Sequence, residues 1–266
     1  MCDNCGCGVL PGNKAVIRLP GESYQNNHEH NHDHEHDHHN DHQYEHHHGE
    51  RRISVETDIL SANNLLAERN RGYLEAMGIL AINIMSSPGS GKTSLLEKTI
   101  IDLMDEISFF VVEGDQQTLN DAQRIEAAGA PAVQINTGNG CHLDADMINR
   151  ALKKLSPAKG SVLMIENVGN LICPSLFFLG EKKRIVIMSV TEGEDKPIKY
   201  PTMFESADLC LINKTDLLPY LEYDLGKAVE YGRKVNHHLQ FIEVSAKTGQ
   251  GMERWYEWLR NERSTV

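Results

Sequence analysis

From residue 79 onward, short apolar runs alternate with stretches in which apolar residues recur every three or four positions. The runs at 79–86, 109–113, 132–135, 162–166, 184–190, 209–213 and 240–245 predict strands that are apolar on both faces. Between them the pattern predicts helices near 92–105, 118–129, 142–155, 198–206, 222–236 and 251–262. Strand–helix alternation of this kind argues for an α/β fold, with a mostly parallel central sheet covered by helices on both faces. Upstream, Ile59, Ala62, Leu66, Tyr73 and Met77 recur at helical steps, with Glu68, Arg69 and Arg71 between them. That spacing predicts one amphipathic helix, packed beside the following domain or a second copy of itself.

The N-terminal stretch has no such pattern, and composition explains why. The first fifty of the 266 residues hold few large apolar groups and cannot bury enough surface to order themselves. The expected organisation is therefore a cysteine motif at 1–8, a His-rich disordered linker at 9–50, the amphipathic helix at 51–78 and a nucleotide-hydrolysing domain at 79–266. Of the net charge of −12, residues 1–50 contribute nine acids against two bases. This acidity is unlike the basic footprint of a nucleic-acid binder. No charged-then-apolar leader and no membrane-length apolar run is present, and the least polar stretch, 162–179, is broken by Glu166, Asn167, Asn170 and Pro174. Six cysteines in such a chain suggest reduced thiols or metal thiolates, and a cytoplasmic location is expected.

Candidate chemistry falls at the predicted strand ends, where ligands bind in open α/β sheets. Ser86-Ser87-Pro88-Gly89-Ser90-Gly91-Lys92-Thr93 follows a strand and opens a helix, as a phosphate-binding loop does, with Ser86 where the first glycine is usual. Backbone N–H groups from Gly89 through Ser94 would cradle phosphate oxygens, Lys92 would reach the β- and γ-phosphates, and the Thr93 hydroxyl would ligate Mg²⁺. Asn213-Lys214-Thr215-Asp216 ends another strand, and the Asp216 carboxylate can accept from both N1–H and the 2-amino group of guanine. Adenine offers no such donor pair, so GTP is expected over ATP. Ser245-Ala246-Lys247 resembles the guanine-clamping loop of GTPases. Asp115 and Glu166, each at a strand end, are candidates for direct or water-mediated Mg²⁺ contacts, with capping of the surface as the alternative. Asn170 stands where Ras-like proteins place a water-orienting Gln, and no obvious arginine finger is present, so slow intrinsic turnover is expected.

Metal ligands form three groups. Cys2, Cys5 and Cys7 crowd three thiols beside the terminal amine, a donor set suited to tetragonal Ni²⁺ or Cu²⁺, although softness alone would also admit Zn²⁺. Eleven of the fourteen histidines lie between His28 and His48, interleaved with Asp, Glu and Asn. That tract can hold several divalent ions loosely, as a store, or serve as a solvated linker. Cys141 and His142 follow a Gly-rich turn at a predicted helix start, and Cys173 lies seven residues after Glu166. Together they make three ligands, one short of a closed tetrahedral site. Cys210, inside a strand, reads as a core residue.

These motifs resemble the HypB family, the GTPases that help insert nickel into nickel–iron hydrogenase. Met1-Cys-Asp-Asn-Cys-Gly-Cys-Gly looks like that family's N-terminal nickel motif. Ser87-Pro-Gly-Ser-Gly-Lys-Thr, Glu113-Gly-Asp-Gln-Gln-Thr, Gly140-Cys-His-Leu-Asp, Glu166-Asn-Val-Gly-Asn, Glu192-Gly-Glu-Asp-Lys-Pro and Asn213-Lys-Thr-Asp resemble its core motifs. The resemblance implies a P-loop GTPase fold of the SIMIBI class, shared with UreG-type and MinD-type enzymes, and a nucleotide-linked homodimer. It implies Cys141, His142 and Cys173 as a core metal site for Ni²⁺ or Zn²⁺. It further implies hand-over of Ni²⁺ with a HypA-like partner to a hydrogenase large-subunit precursor. The special lysine of MinD-type loops is absent, since that region reads Ser86-Ser87-Pro88. Two other readings stay open: a nickel store whose GTP site only gates partner binding, and a urease-directed UreG relative, which the cysteine motifs disfavour.

Overall fold

The computed structural model describes residues 16–18, 48–115, 120–138 and 140–266. The Cys2/Cys5/Cys7 motif and most of the His-rich tract lie outside the described residues. The strands are β1 (Val16–Arg18), β2 (Leu80–Ser86), β3 (Phe109–Asp115), β4 (Ala132–Asn136), β5 (Val162–Glu166), β6 (Lys183–Ser189), β7 (Leu209–Asn213) and β8 (Gln240–Glu243). The helices are α1 (His48–Ala76), α2 (Lys92–Leu103), α3 (Asn120–Ala127), α4 (Ala145–Leu155), α5 (Cys173–Leu176), α6 (Lys196–Lys199), α7 (Pro201–Glu205), α8 (Leu225–Val235) and α9 (Met252–Arg263).

All eight strands form one sheet in the order β1-β4-β3-β5-β2-β6-β7-β8. Strands β2 to β8 run parallel, and only β1 is antiparallel, with Ile17 opposite Ile135 of β4. From β2 the chain winds outward on one side and back to β5, then crosses to β6 on the other side. The carboxyl end of β2 is therefore a topological switch point, the place where such sheets open a crevice for a ligand.

Successive strand residues point to opposite faces, and both faces are buried. Leu80, Ile82 and Ile84 pack with Leu95, Leu96 and Ile100 of α2, Ile125 of α3 and Trp255 of α9. On the other face Ala81, Val112, Ile135 and Leu163 meet Leu74 of α1 and Ile148 of α4. Met85, Val186 and Ile212 meet Phe204 of α7 and Ala228 of α8. No described helix is long and apolar enough to cross a membrane.

The observed elements depart from the sequence pattern in several places, the unpredicted short helix α5 among them. A strand at Val16–Arg18 lies within the segment expected to be a disordered linker, so that segment is not irregular throughout. Helix α1 begins at His48, upstream of the periodic run that starts near residue 58, and crosses the expected boundary at 50/51. The single helix expected at 198–206 is two short ones, because Tyr200, which precedes Pro201, is pushed out of helical geometry (φ −127°). Helix α4 starts after His142, at Ala145, where the Asp144 side chain accepts from Met147 N–H at 2.7 Å.

Helix α1 also holds the loops that carry candidate ligands. Its buried Asn70 donates from Nδ2 to the carbonyls of Ala145 (2.8 Å) and Leu179 (3.0 Å). Asn63 donates to Phe178 O at 2.8 Å and accepts from Ala145 N–H at 2.9 Å. Gly180 permits this approach, since a Cβ there would lie 2.7 Å from Ala67 O of α1.

Candidate functional site

The phosphate loop turns tightly between β2 and α2. Gly89 and Gly91 adopt φ of +74° and +94°, and a Cβ on Gly91 would fall 2.6 Å from Asn213 Nδ2. Glycine is needed at 91 for conformation and for space. Ser86, in place of a glycine, puts its hydroxyl under the loop, where it accepts from Lys92 Nζ (2.8 Å) and Ser90 Oγ (2.7 Å) and donates to Ser87 O (2.6 Å). The Ser87 hydroxyl in turn donates to Glu192. The loop is thus pre-shaped with its lysine tethered to its own floor.

The Asn-Lys-Thr-Asp segment braces this loop from the neighbouring strand end. Asn213 donates from Nδ2 to Ser90 O at 3.0 Å, and Lys214 Nζ reaches Gly89 O at 2.7 Å. Asn213 Oδ1 accepts from the N–H groups of Lys214 (2.8 Å) and Ala246 (3.2 Å), tying the Asn213–Asp216 and Ser245–Lys247 segments together. The Ser245 hydroxyl donates to Asp216 Oδ1 at 2.6 Å, fixing the carboxylate's orientation. Lys247 is exposed beside them.

A cavity of about 580 Å³ opens over the loop, bounded by Lys92, Glu113, Asp115, Asp121, Arg124 and Glu166. Glu113 and Glu166 sit opposite one another on β3 and β5, both buried. Burial, reinforced by the neighbouring Glu166, holds the Glu113 carboxyl well above the usual range. Burial also raises Glu166, against the opposing pull of Lys92. Thr93 Oγ1 donates to Glu166 Oε1 at 2.9 Å, while Glu113 Oε1 and Glu166 Oε2 have no hydrogen-bond partner among the described residues. Two unpartnered buried carboxyl oxygens beside a threonine hydroxyl form an oxygen donor set that fits Mg²⁺. Asp115 ends β3 at the cavity edge. Arg124 binds Glu97 and Asp121 and reaches Ser94 Oγ at 3.3 Å.

The sulfur and imidazole ligands meet at a second place. The ligand atoms of Cys141, His142 and Cys173 all lie within 4.8 Å of one another. Cys141 Sγ is 2.9 Å from Cys173 Sγ and 3.7 Å from His142 Nδ1. Cys141 follows a turn closed by Thr137 Oγ1 donating to Gly140 O at 2.8 Å, and Cys173 opens α5. The His142 ring stacks on Phe177 with centroids 3.9 Å apart. Burial lowers the His142 pKa and so favours the neutral imidazole that can ligate. Burial, with Cys141 beside it, pushes the Cys173 thiol up to about 12, so a cation must displace its proton on binding.

The chain's matches to known proteins span the same region. Residues 80–243 match the family model for the CobW/HypB/UreG nucleotide-binding domain. The hydrogenase maturation factor HypB of Rhizobium leguminosarum is 58% identical over 210 residues, covering 79% of this chain and 70% of that protein. The Escherichia coli K12 protein of the same name is 54% identical over 213 residues, with 80% and 73% covered. The chain belongs to the HypB family of hydrogenase maturation factors. Two solved structures agree with this. HypB from Archaeoglobus fulgidus superposes with a TM-score of 0.72 at 44% identity, covering 77% of this chain and all of that one. HypB from Helicobacter pylori in complex with nickel gives 0.72 at 39%, covering 77% and 96%.

Within this family member, the structure gathers the residues singled out in the sequence into two groups. Lys92, Thr93, Asp115 and Glu166 border the phosphate cavity, with Asn213, Lys214, Asp216, Ser245 and Ala246 at the adjoining strand ends. Cys141, His142 and Cys173 converge separately. Cys210 is buried in an apolar cluster of β7, as its strand pattern implies. Sequence reasoning placed Glu113 in a motif without giving it a role, and passed over Arg124. Glu113 was detectable, because strand alternation puts it on the same face as Asp115, and an acid inside a doubly buried strand needs a reason. Arg124 sits on a polar helix face where nothing in the pattern distinguishes it.

Proposed function

We propose that this chain is a GTP-hydrolysing nickel metallochaperone that delivers Ni²⁺ during maturation of nickel–iron hydrogenase. The backbone N–H groups from Gly89 through Ser94 bind the triphosphate. Lys92 exchanges its Ser86 tether for the β- and γ-phosphates, and Asp216 reads the guanine edge while the Ala246 and Lys247 backbone faces O6. Thr93 and Glu166, with Glu113 beside them, would hold Mg²⁺, which when bound neutralises charge between the β- and γ-phosphates. Asp115, at the cavity edge, would add a direct or water-mediated contact to the same ion. Turnover by the isolated chain is slow, because no residue from a partner completes the site.

Nickel is the cargo. Cys141, His142 and Cys173 take it as three ligands, and a second copy of the chain or water supplies the fourth. GTP binding favours the homodimer, and hydrolysis permits release, with a HypA-like chaperone and the hydrogenase large-subunit precursor as partners in hand-over. Zn²⁺ competes for the same donors. Cys2, Cys5 and Cys7 grip nickel tightly and the His-rich arm stores it.

The observation that carries this reading is the short path between the sites: the segment from Glu166, bonded to Thr93 of the phosphate loop, runs in seven residues to Cys173. The test is hydrogenase maturation in cells carrying Lys92→Ala or Asp216→Ala, with total bound nickel measured on the purified chain. Maturation should fail while the arm still binds nickel. Normal maturation with either variant would instead make the protein a store.

A further inference from the structure

Between the phosphate loop and the cation ligands lies an unbroken line of buried side chains, of which only Asn167 borders the cavity. Asn83 of β2, Asn167 just after β5, Glu181 just before β6 and Arg184 of β6 are all buried. Asn167 Oδ1 accepts two backbone N–H groups, from Val168 at 3.0 Å and from Leu143 at 3.2 Å. Its Nδ2 donates to Asn83 Oδ1 at 3.2 Å, and Asn83 Nδ2 donates to Glu181 Oε1 at 3.1 Å. Glu181 also takes Leu179 N–H at 2.7 Å and Arg184 Nε at 2.6 Å. The Arg184 guanidinium then forks, its two terminal nitrogens donating to Ser175 O and Phe177 O, each at 2.9 Å.

Both ends of this line stop at the ligand-bearing segments. Leu143 is the residue after His142, and Ser175 and Phe177 belong to or border α5, which begins with Cys173. The Phe177 ring is also the surface on which His142 stacks. At Asn167 the line also meets the cavity over the phosphate loop. Asn167 follows Glu166, its own N–H donates to Ile84 O of β2 at 3.0 Å, and it borders the phosphate cavity. Buried polar groups in so dry an environment are costly to leave unpaired, so a shift at residues 166–168 must be followed by Leu143 or break a bond. One side-chain oxygen holds both segments at once.

We propose that this buried line, with Asn167 at its cavity end, carries nucleotide occupancy to the Cys141/His142/Cys173 group, and that Asn167 is the positioning residue that couples them. This rests on the GTP-linked metal reading above and names its physical route. A staple of merely structural value would change cation affinity equally with and without nucleotide. A coupling residue changes the ratio of the two affinities, and by linkage the same ratio appears in nucleotide affinity with and without metal.

The experiment uses the full chain carrying Cys2→Ser, Cys5→Ser and Cys7→Ser, so that nickel–thiolate charge-transfer absorption reports on the core thiols while the histidines stay silent. Ni²⁺ is titrated against a competing chelator, with and without Mg²⁺ and a non-hydrolysable GTP analogue. In this parent the two nickel affinities should differ about fivefold or more, and in Asn167→Ala by no more than about twofold. Asn167→Asp keeps the acceptor for Leu143 and Val168, and should restore part of the ratio. Asn83→Leu cuts the same line away from both sites and serves if Asn167→Ala does not fold; it too should shrink the ratio. A parent with equal affinities would overturn the GTP-linked reading itself. A parental ratio that persists in the folded Asn167 and Asn83 variants would overturn the route and leave that reading standing.

Discussion

Replacing Arg184 by Met should destabilise the chain well beyond what one side chain usually contributes. The Arg184 and Glu181 side chains are only 5% and 1% exposed, and the guanidinium makes the 2.6 Å ion pair and both α5-side carbonyl bonds. Methionine fills similar volume but strands the Glu181 carboxylate with only Asn83 and the Leu179 N–H for company. Breaking a buried pair from one side costs about 3–5 kcal/mol, because the remaining charge is uncompensated. For a domain of this size each kcal/mol moves the melting temperature by about 2–4 °C, so a fall of roughly 6–20 °C is expected. The assay is thermal unfolding of the nucleotide-free chain, followed by circular dichroism and checked by the urea midpoint. Adding Glu181→Leu to Arg184→Met removes the stranded charge and should recover part of the loss; full recovery is not expected, since Asn83 Nδ2 and Leu179 N–H then lose their acceptor. A loss below about 1 kcal/mol, as for an exposed pair, would refute the reasoning, as would a double variant no better than the single.

Other substitutions test the remaining parts of the site. Asp216→Ala should cost GTP about 10²–10⁴-fold in binding relative to ATP, the worth of two hydrogen bonds to a charged acceptor, measured by nucleotide competition. Gly91→Ala should cost at least about 1–3 kcal/mol of stability and abolish nucleotide binding, because φ is +94° and the added Cβ meets Asn213. Glu113 is raised by burial and by Glu166, so its contribution to stability is fully present below the unfolded carboxylate range and is lost progressively as pH rises from there through its folded-state value. Glu113→Gln should therefore flatten the decline of melting temperature between mildly acidic and mildly alkaline buffer, and an unchanged slope would contradict the assignment. Deleting residues 28–48 should lower the number of Ni²⁺ ions bound, by equilibrium dialysis, and leave GTP hydrolysis intact.

The parts of this fold that could be read in the sequence are those whose chemistry is local. A phosphate loop needs glycines, a lysine and a hydroxyl within one turn, so Ser86–Thr93 declares itself wherever it sits. The same holds for Asn213 to Asp216, whose four residues supply both the brace of that loop and the carboxylate proposed to read the base. Strand β1 was hidden because three residues on a sheet edge take their register from β4, not from any pattern of their own. Helix α5 was hidden for a related reason: four residues are shorter than the period that would reveal a helix, although Pro174 in its first turn was a hint. The break at Tyr200 was legible, since Pro201 disfavours helix in the residue before it. Asn83 and Glu113 stand between these cases. A polar residue inside an apolar strand announces that a buried partner exists, because the unpaired group would be too costly. It does not say which partner, and Asn83's lie 84 and 98 positions along the chain, on Asn167 and Glu181. Local chemistry thus marks the candidate nucleotide and metal residues, while the contacts that join the two groups depend on strand order, which the sequence encodes only through the whole fold.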